Sequence, residues 1–178
     1  MNGAVHRLGH VIAIGSNIDP ENNIPRILRH LVDRFGGLRM SRILRTRPVG
    51  MASRRDFLNL AVFVETDLDA AALKAACNQI ETALGRNRSL PDRAHRDRPA
   101  DLDILFPLRP GRKPRVRVEG PYQRAVVDDL LAALGLGPAP SLPPGVAVDL
   151  GGVSAGEMPA AIHRQGGAGD EIVVQQCA

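Results

Sequence analysis

Tryptophan is absent from this sequence, tyrosine occurs once and phenylalanine four times. A sheet surface that stacks several nucleic-acid bases on aromatic rings therefore has few residues to draw on. Cysteine is equally sparse. Cys77 sits inside an apolar pattern and Cys177 beside the last residue, with no Cys/His spacing that suits structural zinc or a disulfide framework. No run of about 18 apolar residues occurs, and Met1 to His10 lacks a hydrophobic signal core. A soluble, cytoplasmic protein without a membrane partner is expected. Common nucleotide and hydrolase signatures are missing as well. There is no Gly-x-x-x-x-Gly-Lys-Ser/Thr and no Gly-x-Ser-x-Gly, and His6, His10, His30, His95 and His163 form no ligand pair.

What is present describes one globular domain over residues 1–178, since 44% hydrophobic and 24% charged residues are near the average for such domains. Lysine is confined to Lys74 and Lys113, so the 23 basic residues are nearly all arginine. Eleven of them lie between Arg86 and Arg124 against five acids, which gives that segment +6 and leaves −2 for the remainder. A positive field concentrated in one segment points to an anionic ligand, and the arginine fork suits bidentate phosphate binding.

Along the chain, Val11 to Gly15 reads as a buried strand followed by a turn. A helix follows, with Asp19 as its cap, Pro20 at its first position, an apolar stripe from Ile24 to Phe35, and Gly36-Gly37 as its stop. Leu38 to Thr46 reads as an edge strand and Arg47 to Arg55 as a loop. Phe57 to Thr66 is the strongest strand, with Phe57, Asn59, Ala61 and Phe63 on one face and Leu58, Leu60, Val62 and Val64 on the other. A second helix starts near Asp69 and stops at Gly85, a polar loop spans Arg86 to Pro99, and Leu102 to Phe106 is a further strand. The order β-α-β-β-α-β is that of an α+β, ferredoxin-like split unit with its helices on one face. A helix from Gln123 to Leu134 and a Gly/Pro-rich remainder form a C-terminal extension. Gln165 to Asp170 carries no structural signal, and Glu171 to Cys177 reads either as an added edge strand or as a loose tail.

The most informative stretch is Arg98-Pro-Ala-Asp101-Leu-Asp103-Ile-Leu. On a strand, Asp101 and Asp103 project from one face with Cα atoms about 6.6 Å apart, close enough to share cations. Magnesium takes hard oxygen ligands, commonly one or two from protein and the rest from water and phosphates. Asp-x-Asp alone also describes a solvated strand face, but here it stands next to the arginine-rich segment. Arg86 and Arg88 either cap the second helix or reach phosphate, and Glu81, at the margin of the apolar stripe, either points along the sheet edge toward the same site or, as its spacing alone favours, is a solvated side chain. Phe57 and Asn59 share a strand face, where a ring and an amide can stack on a flat heterocycle and bond its edge, or can simply pack.

These pieces resemble the 6-hydroxymethyl-7,8-dihydropterin pyrophosphokinase family. Ile12 to Asn17, Arg45 to Gly50, Asp56 to Asn59, Ile80-Glu81, Gly85 to Arg88 and Arg98 to Leu105 follow its motifs in order over residues 11–106. The resemblance implies the ferredoxin-like fold and transfer of a diphosphoryl group from Mg-ATP to the pterin hydroxymethyl with release of AMP. It implies that Asp101 and Asp103 bind two magnesium ions and that Arg86 and Arg98 serve the transfer step. Glu81, Arg88 and Ile104, with Arg115, Arg117 and Arg124 downstream, would contact ATP. Thr46, Val49, Phe57 and Asn59 would bind the pterin.

The sequence departs from the family at identifiable points. His95-Arg-Asp-Arg98 stands where the family has Trp-x-Pro-Arg, and the loop from Arg86 is about two residues longer. Gly120-Pro121 and Arg124-Ala-Val126 are the best counterparts of its His-Pro and Arg-x-Phe, so the aromatic on the pterin's second face has no equivalent. Residues 107–162 form a divergent C-terminal part and 163–178 a candidate flexible tail. Two alternatives stay open: a paralogue acting on another pterin, and a noncatalytic basic module that binds RNA.

Overall fold

A computed structural model describes residues 7–92, 95–109, 111–166 and 171–177. The first strand, β1 (Gly9–Ser16), is buried along its whole length, as expected for an apolar run at the centre of a sheet. It leads into α1 (Pro20–Phe35), β2 (Gly37–Met40), β3 (Leu44–Thr46), β4 (Phe57–Glu65), α2 (Ala70–Ala83), β5 (Asp101–Leu108) and α3 (Pro121–Ala133). Four short strands follow: β6 (Val148–Asp149), β7 (Ser154–Ala155), β8 (Ala160–Arg164) and β9 (Ile172–Gln176). The main sheet runs β5-β1-β4-β2-β8-β9, with β3 also paired to β4, and every described pairing is antiparallel. The architecture is α+β.

Helices cover both faces of the sheet. Ile27, Leu28 and Leu31 of α1 and Leu73, Cys77 and Ile80 of α2 pack with Ile12, Ile14, Leu58, Leu60 and Leu102 in one core. On the opposite face Val126, Val127 and Leu130 of α3 pack on Val11, Ala61, Phe63, Phe106 and Leu108. The two helices of the split unit, α1 and α2, thus share one face as expected, and α3, from the C-terminal extension, covers the other. The alternation of β4 produces both cores, with even positions facing α1 and Ala61 and Phe63 facing α3. Burial pushes the thiol of Cys77 up to about 11, which keeps it an inert core group.

Two local expectations need correction. Asp19 has left-handed backbone angles (φ 44, ψ 50) and makes no side-chain bond to the helix backbone; its carboxylate instead accepts from the Asn22 side chain at 2.9 Å. Leu38 to Thr46 is not one strand, and only its second piece, β3, which pairs with β4 alone, lies at an edge. It breaks at Ser41-Arg42-Ile43, because the Arg42 amide donates to Asp129 and Ile43 exchanges backbone bonds with Val146 and Gly156. β2 lies inside the sheet, with β8 on its outer side and β9 as the final edge. Of the candidate tail, residues 163–166 and 171–177 are described, whereas 167–170 and 178 lie outside the described residues.

The close approach around Ile43 depends on glycine. At Gly156 φ is +116, and a Cβ there would lie 2.2 Å from the Val146 carbonyl oxygen. Gly156→Ala should therefore lose about 1–3 kcal/mol of stability. A thermal midpoint unchanged to within about 2 °C would show that the contact gives way.

Candidate active site

Antiparallel register builds the site as a row across three strands. Gly15 at the end of β1 pairs with Asp101 on one side and with Asn59 on the other. Because Leu102 and Ile104 pack on the α1/α2 core, Asp101 and Asp103 face the opposite way, on the side of Phe57 and Asn59. A register shift between Val11 and Ile12 leaves Leu105 as an extra residue, so that Leu105 and Phe106 both turn toward α3. The bulge lets one strand present carboxylates at its start and core residues at its end.

Gly15 keeps the middle of this row open. A Cβ on it would lie 2.8 Å from Asn59 Oδ1 and 3.7 Å from Phe57 Cδ1. The floor between Asn59 and Asp101 is thus bare backbone, with two interstrand spacings of roughly 4.8 Å across it. Asn59 Nδ2 donates to buried Thr46 Oγ1 at 2.6 Å. That bond orients the amide with its oxygen over the floor. Phe57 is half-buried, and the Arg98 guanidinium lies 5.8 Å from its ring centroid.

The charged half centres on Asp101. Its Oδ2 accepts from Arg98 Nη1 at 2.7 Å and its Oδ1 from Arg86 Nη1, so both oxygens carry a guanidinium. Asp103 is exposed two residues on. Although the residue keeps solvent-exposed surface, partial desolvation of its carboxyl and, secondarily, the charge of Asp101 raise it above the usual range. Arg98 is itself fixed from β1. Asn17, 2% exposed, accepts from the Arg98 amide at 2.8 Å, donates to Asp97 at 2.7 Å, and has its own amide bonded to the Arg98 carbonyl.

Glu81 is not the solvated side chain its spacing suggests. It has no exposed surface and bonds Arg86, Arg88 and the Leu102 amide. The remaining expected residues are more dispersed. Ile104 packs against the apolar core, Val49 is 73% exposed on its loop, and Arg115 is exposed. Arg117 and Arg124 line a cleft of about 350 Å³ with Phe106, Val116, Val127 and Leu131, and that lining includes none of the residues of the Asp101 cluster. Asn17, Asp97 and Lys74, whose ammonium donates to the Leu102 carbonyl at 3.3 Å, had no role assigned from sequence. The signal available for Asn17 was a polar residue closing an otherwise buried apolar strand.

Two carboxylates on one strand face supply hard oxygens that fit magnesium. Among the described residues no group of three or more His, Cys, Asp or Glu side chains could hold a metal ion. The pair is therefore suited to a cation that brings further oxygens with it, from phosphate or water. No described helix is long and apolar enough to cross a membrane.

Comparison with known proteins bears on this geometry. Residues 11–128 match the family described as 7,8-dihydro-6-hydroxymethylpterin-pyrophosphokinase. A Bacillus subtilis protein named 2-amino-4-hydroxy-6-hydroxymethyldihydropteridine pyrophosphokinase is 37% identical over 98 residues, which is 53% of this chain and 57% of the relative. Proteins of the same name from Porphyromonas gingivalis and Campylobacter jejuni are 33% and 31% identical over 97 and 99 residues, covering 53% and 54% of this chain. The matched part spans 66% and 61% of those two, so it covers less than two thirds of each relative.

Proposed function

The chain belongs to the 7,8-dihydro-6-hydroxymethylpterin-pyrophosphokinase family, and from that membership we propose that it transfers a diphosphoryl group from Mg-ATP to the hydroxymethyl of 6-hydroxymethyl-7,8-dihydropterin. One observation carries the reading. The Asp101-Gly15-Asn59 row sets a carboxylate flanked by two arginines beside an open floor that ends in an amide and an aromatic ring. The sheet order β5-β1-β4-β2, with α1 and α2 over one face, supports reading the core as a ferredoxin-like split unit.

In the reaction the pterin hydroxyl oxygen bonds to the β-phosphorus of ATP. The bond from that phosphorus to the oxygen bridging the α-phosphate breaks, AMP departs with the bridging oxygen, and the hydroxyl proton is released. Little acid-base assistance is needed, because phosphoryl transfer depends chiefly on alignment and neutralisation of charge. Asp101 and Asp103 would hold magnesium, two ions in the family's manner, and bound magnesium offsets triphosphate charge and orients its oxygens. Arg86 and Arg98 stand beside the same carboxylate, so an arriving nucleotide gives each guanidinium a further anion to bond. Phe57 would stack on the pterin and Asn59 Oδ1 accept from its edge, while the tilt of the amide is set by Thr46. Arg117 and Arg124 would meet ATP only through their separate cleft.

Incubation with Mg-ATP and 6-hydroxymethyl-7,8-dihydropterin should yield AMP and the pterin diphosphate in equal amounts by chromatography. Background AMP from folded protein would refute the reading. The pterin half has its own probe. Gly15→Ala sets a methyl against Asn59 Oδ1, so pterin affinity should fall about tenfold, some 1.4 kcal/mol, with the fold retained. The RNA-binding alternative loses support, since α3 covers Phe63 and Phe106 on the sheet face such a module would use.

A further inference from the structure

We propose that Glu81 is a positioning residue that contacts neither nucleotide nor metal, and instead fixes Arg86, Arg88 and the β5 backbone between Asp101 and Asp103. The inference rests on the reading of this cluster as a Mg-nucleotide site. Glu81 is fully buried, a placement that costs several kcal/mol for a carboxylate without partners. Its partners are complete. Oε1 accepts from Arg86 Nη1 at 2.9 Å and from the Leu102 amide at 2.8 Å, while Oε2 accepts from Arg88 Nε at 2.8 Å and from Arg88 Nη2. A carboxylate offers about four acceptor directions. All are taken, so none is left for a ribose hydroxyl or an adenine amine, and the ATP contact that resemblance implies for Glu81 has neither surface nor lone pair to make it.

Each partner is a part of the proposed machinery. Among the described residues β5 is the edge of the sheet, so the Leu102 amide is an edge donor with no strand among them to bond. Glu81 on α2 supplies the acceptor there, at the one residue that separates the two aspartates. The same oxygen holds Arg86 Nη1, which also donates to the Ala100 carbonyl at 3.1 Å and to Asp101. One buried carboxylate thereby sets the height of the aspartate pair relative to α2 and the reach of the two arginines.

Glu81→Gln keeps the volume while removing the charge and turning an amide donor toward a guanidinium. Calorimetric titration of wild type and variant with magnesium and adenylyl methylenediphosphonate should show at least about a tenfold loss of affinity in the variant. Pterin affinity, set by Thr46, Phe57 and Asn59 on other strands, should change less than about twofold, and turnover should fall further than KM for ATP rises. Equal weakening of both ligands indicates a scaffolding role and overturns the proposal, as does unchanged nucleotide affinity. Wild-type protein that ignores Mg-nucleotide defeats the reading of the site itself and this role with it. If Glu81→Gln does not fold, hydrogen exchange on the wild type decides. The Leu102 amide should exchange at least about tenfold more slowly than an exposed amide, and exchange at the exposed rate overturns the proposal.

Discussion

Asp101→Ala is expected to lower diphosphoryl transfer by at least about a hundredfold, equivalent to roughly 3 kcal/mol or more of lost transition-state stabilisation. The size follows from its two duties. Asp101 is one of only two carboxylates on this face of β5, and its oxygens also hold the guanidinium groups of Arg98 and Arg86. On the proposed reading, removing it deletes a magnesium ligand, and it releases both arginines from their shared acceptor. The fold should survive, because Arg86 keeps Glu81 and the Ala100 carbonyl, and the Arg98 amide stays bonded to Asn17. On the same reading Asp103→Ala removes a ligand without freeing either of these cations, so it should resemble Asp101→Ala in turnover yet differ less from wild type in thermal midpoint. Steady-state AMP release together with circular dichroism melting tests the pair. Turnover within tenfold of wild type for either variant would show that this carboxylate does not hold the metal.

Asp129→Ala should produce the largest loss of stability, about 3–5 kcal/mol, as expected when one partner of a buried ion pair is deleted. Its carboxylate accepts from the Arg42 amide at 2.8 Å and from Arg42 Nε at 3.1 Å, with Nη2 at 3.0 Å from the second oxygen. Arg42 also donates to the carbonyls of Leu142 at 2.9 Å and Pro143 at 2.8 Å. Three segments distant in sequence thus meet on one guanidinium: the break between β2 and β3, helix α3, and the loop after it. Deleting Asp129 leaves that cation buried with carbonyls alone. At roughly 2–4 °C per kcal/mol for a chain of this size, the midpoint should drop by about 6–20 °C. A double variant, Arg42→Met with Asp129→Leu, should recover much of the loss, because it removes the uncompensated charge while filling similar volume. A single variant that melts within about 2 °C of wild type would show that the pair does not anchor α3.

The strands and helices that surround the candidate site were legible where one periodicity governed them. β4 alternates without interruption, α1 and α2 carry clean stripes with stops at Gly36 and Gly85, and Asp69 caps α2 by accepting from the Ala72 amide at 2.8 Å. Reading failed where a distant partner overrode local pattern. Leu38 to Thr46 has the composition of one strand, but Asp129, Val146 and Gly156 claim its central backbone groups. Glu81 looks solvated from its spacing, because no periodicity announces two arginines and an edge amide arriving from residues 86–102. β8 is five residues amid a glycine- and proline-rich stretch, too short to announce itself, whereas β9 falls within Glu171 to Cys177, where the added edge strand is one of the two readings the sequence allows. For the site, type and order of residues revealed the carboxylate pair and the Phe57-Asn59 face, whereas the bare floor at Gly15 and the clamp at Asn17 needed the register of β1.

The β8–β9 hairpin has a practical bearing on how this protein is handled. The family-matched region ends at residue 128, partway through α3. A fragment trimmed to it would lose the remainder of α3, including Asp129, and would strip β2 of its neighbour at Gly37 to Met40. Those newly bare amides and carbonyls, next to the apolar side chains of Leu38 and Met40, are a template for pairing with another copy. The minimal catalytic piece suggested by sequence matching would therefore tend to precipitate, and an assay on it would report aggregation in place of chemistry.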